Sequence, residues 1–335
     1  MALKLFTRRA TESSPEVQRR PEPRRAATPP PYQPAEPIIL QADPLQQCLQ
    51  LERYGIVTSR RDQWRNVPGG ANGIEAAQRE VDARFALVPD GFVSLPRTAN
   101  GLPGCPEVDI DTEPFLLMRH AISNMQYQKF VDAGAYEDLE IWPRDIWPHI
   151  IDFKDQTNTF GPRYWRNGRH NQLISGHPVV GICFYEAAAY ARWAGYRLPT
   201  EEEWQMAASW RIRSSANVLR RYPWGDALDV RRCNIWASGV GGTVPVHAYE
   251  AGAAPNGVVQ LIGNVWEWTA TDFEITDDEG RCVIGDMVMK SVRGGAFDTY
   301  FASQATSAFR TGLPTLSRVH NTGFRCALDL HAAGG

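Results

Sequence analysis

Side chains suited to redox, metal or nucleophilic chemistry are few in this sequence and far apart. The six cysteines (Cys48, Cys105, Cys183, Cys233, Cys282, Cys326) form no Cys-x-x-Cys or Cys-x-His pattern. A local zinc knuckle and a dithiol redox motif are therefore excluded. The seven histidines (His120, His149, His170, His177, His247, His320, His331) show no paired spacing of the kind that seats a metal on one helix or strand. His177 precedes Pro178 at a strand start and reads as a core or turn residue. Acid–base work would need a pair such as Asp298 with His320, and nothing in their spacing selects them. One carboxylate stands out: Glu267, between Trp266 and Trp268 in the run GNVWEW. In an extended segment the two indoles face one side and the carboxylate the other. A carboxylate in such company requires a backbone amide, an arginine or a metal as partner. Core packing around a structural hydrogen-bond hub is the expectation.

The elements that position these residues must come from a chain of 335 residues, enough for one large domain or two ordinary ones. Apolar residues make up 43%, and 11 Trp, 11 Tyr and 13 Phe supply a sizeable core. The 28 Gly and 24 Pro point to a loop-rich fold rather than a helical bundle. A net charge of −3 argues against a nucleic-acid partner. No run approaches the apolar length of a membrane span. The N-terminus lacks the apolar stretch of a secretory signal, and reduced, buried thiols are expected; both readings predict a cytoplasmic setting.

Residues 1–43 form a Pro/Arg-rich extended arm, with seven Lys/Arg against four acids in the first 36 positions. Such a segment buries too little to offset its ordering entropy, unless it docks on a partner or threads an assembly. Residues 44–82 read as a helical connector in amphipathic pieces, broken across VPGGANG (67–73) before a second polar helix. From 83 the texture changes to short β-type runs, aromatic clusters and Gly/Pro turns. FALVPDGFVSL (85–95) reads as a hairpin turned at Pro89-Asp90-Gly91. A helix is expected over 123–134, capped at Ser123 or Asn124 and stopped at Gly134. Two more are expected at Phe184–Ala194, ended by Gly195, and after Thr200, which forms a capping box with Glu203. Arg293-Gly294-Gly295 reads as a strand end with close backbone approach. IWPRDIWPHIIDF (141–153) reads as a packed loop, with an interface as the alternative. Phe324 and Arg325 are expected to close the sheet. Residues 331–335 are a tail.

Several words in this order carry a resemblance: GHPVVGICFYEAAAYARWAGYRLPTEEEWQMAA (176–208), YPWGD (222–226), PNGVVQLIGNVWEWT (255–269), SVRGGAF (291–297) and TGFRCALD (322–329). Together they make residues 83–330 resemble the formylglycine-generating, or sulfatase-modifying-factor, family. That resemblance implies an α+β, C-type-lectin-like fold with much irregular structure. In active members it implies a copper-dependent oxidase site built on two cysteines five residues apart, shortly after the Arg-Gly-Gly word. Here the matching positions are Thr299 and Gln304, and no cysteine lies between Gly294 and Phe324. Thiolates suit Cu(I) and these side chains do not, so formylglycine generation is not expected. A related branch adds an iron site on a four-helix domain; the first 82 residues hold no histidine to build one.

The resemblance also implies structural calcium. Gly263, Val265 and Glu267 match one ligand set, and calcium there is possible. Around Asn234 and Ile235 the second set is weakened, since His247 and Gln260 stand where Asp and Asn are implied. Cys326 matches a bridged cysteine whose counterpart here is Ala191. The expected role is a non-catalytic, protein-binding or structural subunit of a larger assembly, tethered by the N-terminal arm. Its recognition surface is implied at Phe297, Asp298, Tyr300, Phe301, Arg310, Arg318, His320 and Asn321, near the final β-region. The alternative is an oxidoreductase or other enzyme using the same groove with non-family chemistry.

Overall fold

The computed structural model describes residues 31–96, 107–210, 220–273 and 288–330. Four helices open the described fold: α1 (Pro44–Gln50), α2 (Tyr54–Ser59), α3 (Arg61–Arg65) and α4 (Gly70–Arg84). Strands β1 (Phe85–Val88), β2 (Gly91–Pro96), β3 (Glu107–Thr112) and β4 (Phe115–Met118) follow, then helices α5 (Asn124–Asp132), α6 (Trp147–Ile150), α7 (Phe184–Ala194) and α8 (Glu201–Ser209). The last part carries β5 (Trp266–Asp272), β6 (Met289–Arg293), β7 (Arg310–Pro314), β8 (Thr322–Gly323) and β9 (Ala327–Asp329). Long irregular stretches between them hold further short helical turns.

Caps account for several boundaries. Ser123 and Gln126 form a capping box at α5, and Thr200 with Glu203 forms another at α8. Each satisfies amides that a helix start leaves unpaired. Helix α7 ends at Gly195 in the left-handed region, φ 83°. The break expected across 67–73 is shorter than read. Gly69 alone turns the chain at φ 75°, and α4 already begins at Gly70. Glycine inside this helix serves packing: a Cβ on Gly73 would lie 2.8 Å from Leu45 Cδ2.

The hairpin expected over 85–95 does not form. β1 and β2 both exist, but β1 pairs antiparallel with β4, and β4 with β9. β2 pairs instead with β3 in a separate ribbon. Pro89-Asp90-Gly91 redirects the chain from one sheet to another, because the apolar partner that covers β1 lies some thirty residues on. The third sheet runs β7-β6-β5-β8, with β5 and β8 parallel.

The connector shares its core with the domain. Leu45, Leu51, Tyr54, Val57, Trp64, Ala77 and Val81 pack in one cluster with Phe85, Tyr196, Trp193 and Phe324. Gly55 and Gly195 meet backbone to backbone, where a Cβ on Gly55 would stand 2.3 Å from the Gly195 carbonyl oxygen. A boundary at 83 thus has no counterpart in the packing. Tyr127, Phe130, Tyr136, Trp142, Trp165, Tyr190 and Phe324 form a continuous aromatic cluster, with Tyr127 stacked on Tyr190 at 5.4 Å. Burial of each such ring contributes roughly 1.5–3 kcal/mol. In the 141–153 stretch Trp142, Ile146, Ile150 and Phe153 are buried in this core, so most of it is a packed loop.

The described part of the arm lies extended along its own domain. Ala35 N donates to His170 O (3.1 Å), Gln172 N to Gln33 O (2.7 Å) and Asn171 Nδ2 to Pro31 O (3.1 Å). Tyr32 donates its hydroxyl to Arg166 O (2.7 Å), and Ile38 N donates to Asp132 (3.2 Å). These bonds make residues 31–41 a strap; residues 1–30 lie outside the described part.

Candidate functional site

The turn after β6 sets up the site. Gly294 (φ 98°) and Gly295 (φ 78°) carry the chain past Leu261, where a Cβ on Gly294 would meet the carbonyl oxygen at 2.6 Å. Thr299, buried, accepts from Ala296 N through its hydroxyl (2.8 Å) and offers its carbonyl to Trp236 N (3.2 Å). Gln304 closes a short turn from Phe301 (2.9 Å). The two positions matched to the thiol pair are thus a turn-forming hydroxyl and a half-buried amide.

On this turn the structure brings Asp298, His320 and Asn321 together. Asp298 Oδ2 lies 3.1 Å from His320 Nε2, and Asn321 Nδ2 donates to both carboxylate oxygens at 3.1 Å. Phe297 packs edge-on against His320, with centroids 5.8 Å apart. Beside them Tyr300 and Phe301 meet at right angles (5.2 Å), and Tyr300 meets Trp236 at 5.0 Å. Trp236, Tyr300 and Phe301 are 52%, 64% and 61% exposed. Trp236 was absent from the sequence-derived set, because only the backbone bond to Thr299 brings it here.

Two expected surface residues point inward. Arg310 pairs with buried Glu201 (2.8 Å), which also holds the fully buried Arg293 (2.7 Å). Arg318 grips buried Glu186 (2.8 Å) and donates to Lys154 O (2.8 Å) and Gly161 O (2.6 Å). Both are clamps of the fold, and neither lies on the aromatic surface. Arg318 does line a cleft of about 720 Å³ with Asp152, Arg163 and Tyr164, just before His320 in the chain.

Glu267 is a hub, and its carboxylate is already taken up by protein donors. Arg325 donates Nε to Oε2 and Nη2 to Oε1, both at 2.7 Å, and Trp204 Nε1 adds a third bond at 2.8 Å. Arg325 also donates to Met118 O (3.0 Å) and Val259 O (2.9 Å), tying β5 to the end of β4 and to the loop at Val259. A guanidinium against the carboxylate repels a second cation, so Gly263, Val265 and Glu267 do not fit calcium. Asn234 Oδ1 is buried without a hydrogen-bond partner. One amide oxygen is a weak ligand for a hard cation, and the described residues hold no cluster of three acidic, His or Cys side chains suited to a metal.

The family model described as the sulfatase-modifying factor enzyme 1-like domain matches residues 71–330. The chain belongs to this family. The α+β fold with much irregular backbone is the one that membership implies. The formylglycine-generating enzyme of Thermomonospora curvata is 33% identical, over 72% of this chain and 88% of that one. Hercynine oxygenase of Mycobacterium tuberculosis is 35% identical over 48% of this chain, which spans only 39% of that enzyme. An inactive Cα-formylglycine-generating enzyme 2 of Mus musculus is 34% identical over 66% of this chain and 77% of its own. No helix among the described residues is long and apolar enough to cross a membrane.

Proposed function

We propose that this chain is a non-catalytic family member, a protein-binding subunit that docks a partner on the surface formed by Trp236, Phe297, Tyr300 and Phe301. The observation that carries the reading is the exposed aromatic trio, in which Tyr300, on the loop where active relatives are implied to hold their thiols, touches both Trp236 and Phe301. Large aromatic side chains dominate the energetics of protein interfaces, and clustered exposure of this kind marks binding surfaces. Similarity to an inactive relative supports the same reading. The unpaired, buried Cys48, Cys183, Cys233 and Cys326 support a reducing, cytoplasmic setting. The strap of residues 31–41 supports a tether only through whatever residues 1–30 engage.

The test is gentle purification of the full-length protein from its native source, with identification of co-eluting chains and a metal analysis. A stoichiometric partner is expected, and Trp236→Ala with Tyr300→Ala should release it while leaving the melting temperature unchanged. A lone monomer carrying tightly bound copper or iron would overturn the reading.

A second reading has one observation behind it. Asp298 and His320, unselected by spacing, stand 3.1 Å apart on an open surface, which is hydrogen-bond geometry for acid–base work. Together with the similarity to hercynine oxygenase, it supports an enzyme of different chemistry in the same groove. Asp298→Asn would abolish any such activity while leaving partner capture intact.

A further inference from the structure

A second cleft, of about 340 Å³, lies where the connector meets the domain, and the function above makes no use of it. His120, just past β4, and His247, in the loop after Pro245, both line it. Met118, Met125 and Val246 supply apolar wall, and the Glu52–Arg84 ion pair is part of its lining. The frame is braced on every side. Val246 N donates to Gly176 O (2.8 Å), Met125 N to Ser175 O (3.0 Å) and Met118 N to Cys326 O (2.9 Å). Gln260 Nε2 donates to Pro245 O (2.9 Å) and Ala248 O (2.8 Å), fixing the loop that carries His247. The site is therefore formed before any ligand arrives.

Electrostatics choose the class of ligand. Neither imidazole has a hydrogen-bond partner among the described residues. The guanidiniums of Arg325 and Arg119 both act on His120, and Arg325 is neutralised by Glu267 while Arg119 is not. The nearby carboxylates are spent: Glu52 on Arg84 and on Lys129 (2.7 Å), Glu267 on Arg325. Arg119 donates to Asn256 O (2.6 Å) and has no carboxylate partner among the described residues. Burial, with the neighbouring positive charges, pushes the His120 pKa down to about 4, so its ring is neutral at pH 7. Paired His and Met side chains could suit a soft metal ion. The guanidinium of Arg119 beside His120, with no carboxylate partner among the described residues, disfavours a cation and favours an anion.

We propose that the cleft between His120 and His247 binds a small carboxylate with an apolar body. The two imidazoles donate N–H groups to the carboxylate, and Met118, Met125 and Val246 cover its apolar part. The volume lies at the small end of ligand sites. Binding takes up a proton, because the carboxylate supplies the negative charge that the empty cleft lacks and draws the ring back toward its ordinary pKa.

The test uses the full chain with benzoate as probe and benzamide as its neutral counterpart, followed by calorimetry and by the histidine ring resonances. Benzoate is expected to raise the apparent pKa of the His120 ring. If the His120 imidazole returns to an ordinary value near 6.5, binding is about tenfold tighter at pH 5.5 than at pH 7.5. His247→Ala, at an exposed position, should fold normally and weaken benzoate binding at least about fivefold, the loss of one charge-assisted hydrogen bond. His120→Gln is the second variant and should flatten the pH dependence. Equal affinity for benzamide, pH-independent binding, or an unaffected His247→Ala would each overturn the proposal. Saturable zinc or Cu(I) binding in place of benzoate would overturn it in favour of a metal. Neither result bears on the aromatic surface, whose test is partner release.

Discussion

Arg325 and Glu267 meet in a doubly hydrogen-bonded pair from which water is excluded, at 2.7 Å on both arms. Breaking such a pair from one side leaves an uncompensated buried charge, which costs about 3–5 kcal/mol. Glu267→Gln should therefore lose stability on that scale in urea unfolding at neutral pH. Glu267→Met with Arg325→Met should lose less than the sum of the single variants. A Glu267→Gln loss below about 1 kcal/mol would show that the hub is not a stability determinant.

Gly195 joins the connector to the domain. Its φ of 83° and a would-be Cβ at 2.2 Å from Ile56 N leave no room for a side chain. Gly195→Ala should cost at least about 2 kcal/mol by combining left-handed strain with a backbone clash. Because α2 and α7 share one core, a single unfolding transition is expected, shifted as a whole in calorimetry.

His170 makes stability depend on pH. Burial pushes its pKa down to about 4, with Arg169 adding, and its ring is held by Gln128 (3.0 Å) and Ser175 (2.8 Å). The unfolded side chain titrates near 6.5 and so binds more protons between those values. Stability should fall as pH drops from about 6.5 to about 4, with no further contribution below. His170→Asn should flatten that slope by up to one proton when urea midpoints are compared across the range.

The thiols offer a direct check of packing. Cys48, Cys183, Cys233 and Cys326 are free and buried, and burial pushes the Cys233 thiol up to about 12. None should react quickly with a thiol reagent at pH 7.5, since the thiolate is the reactive form. At most the remaining two of the six should be titrated before denaturant is added.

Local signals were read correctly where a side chain speaks to its own backbone. The Ser123 cap, the Thr200–Glu203 box and the stop at Gly195 all follow from hydrogen bonds and φ preferences within four residues. Partnerships over distance were not legible. β1 and β2 looked like a hairpin, and their true partners β4 and β3 follow from which apolar face each must cover. Arg310 and Arg318 looked like surface groups because nothing nearby in sequence shows Glu201 and Glu186 waiting for them.

The sequence alone determined the family, through words such as GNVWEW and RLPTEEEW, and the lack of a thiol pair between Gly294 and Phe324. Both are statements of residue identity, which needs no coordinates. Tertiary structure decided that Glu267 holds Arg325, that Asp298 meets His320 and that Trp236 joins Tyr300. The chain separation of these pairs runs from 22 to 64 residues. Contacts at such range are set by the packing of whole elements, so no local pattern encodes them.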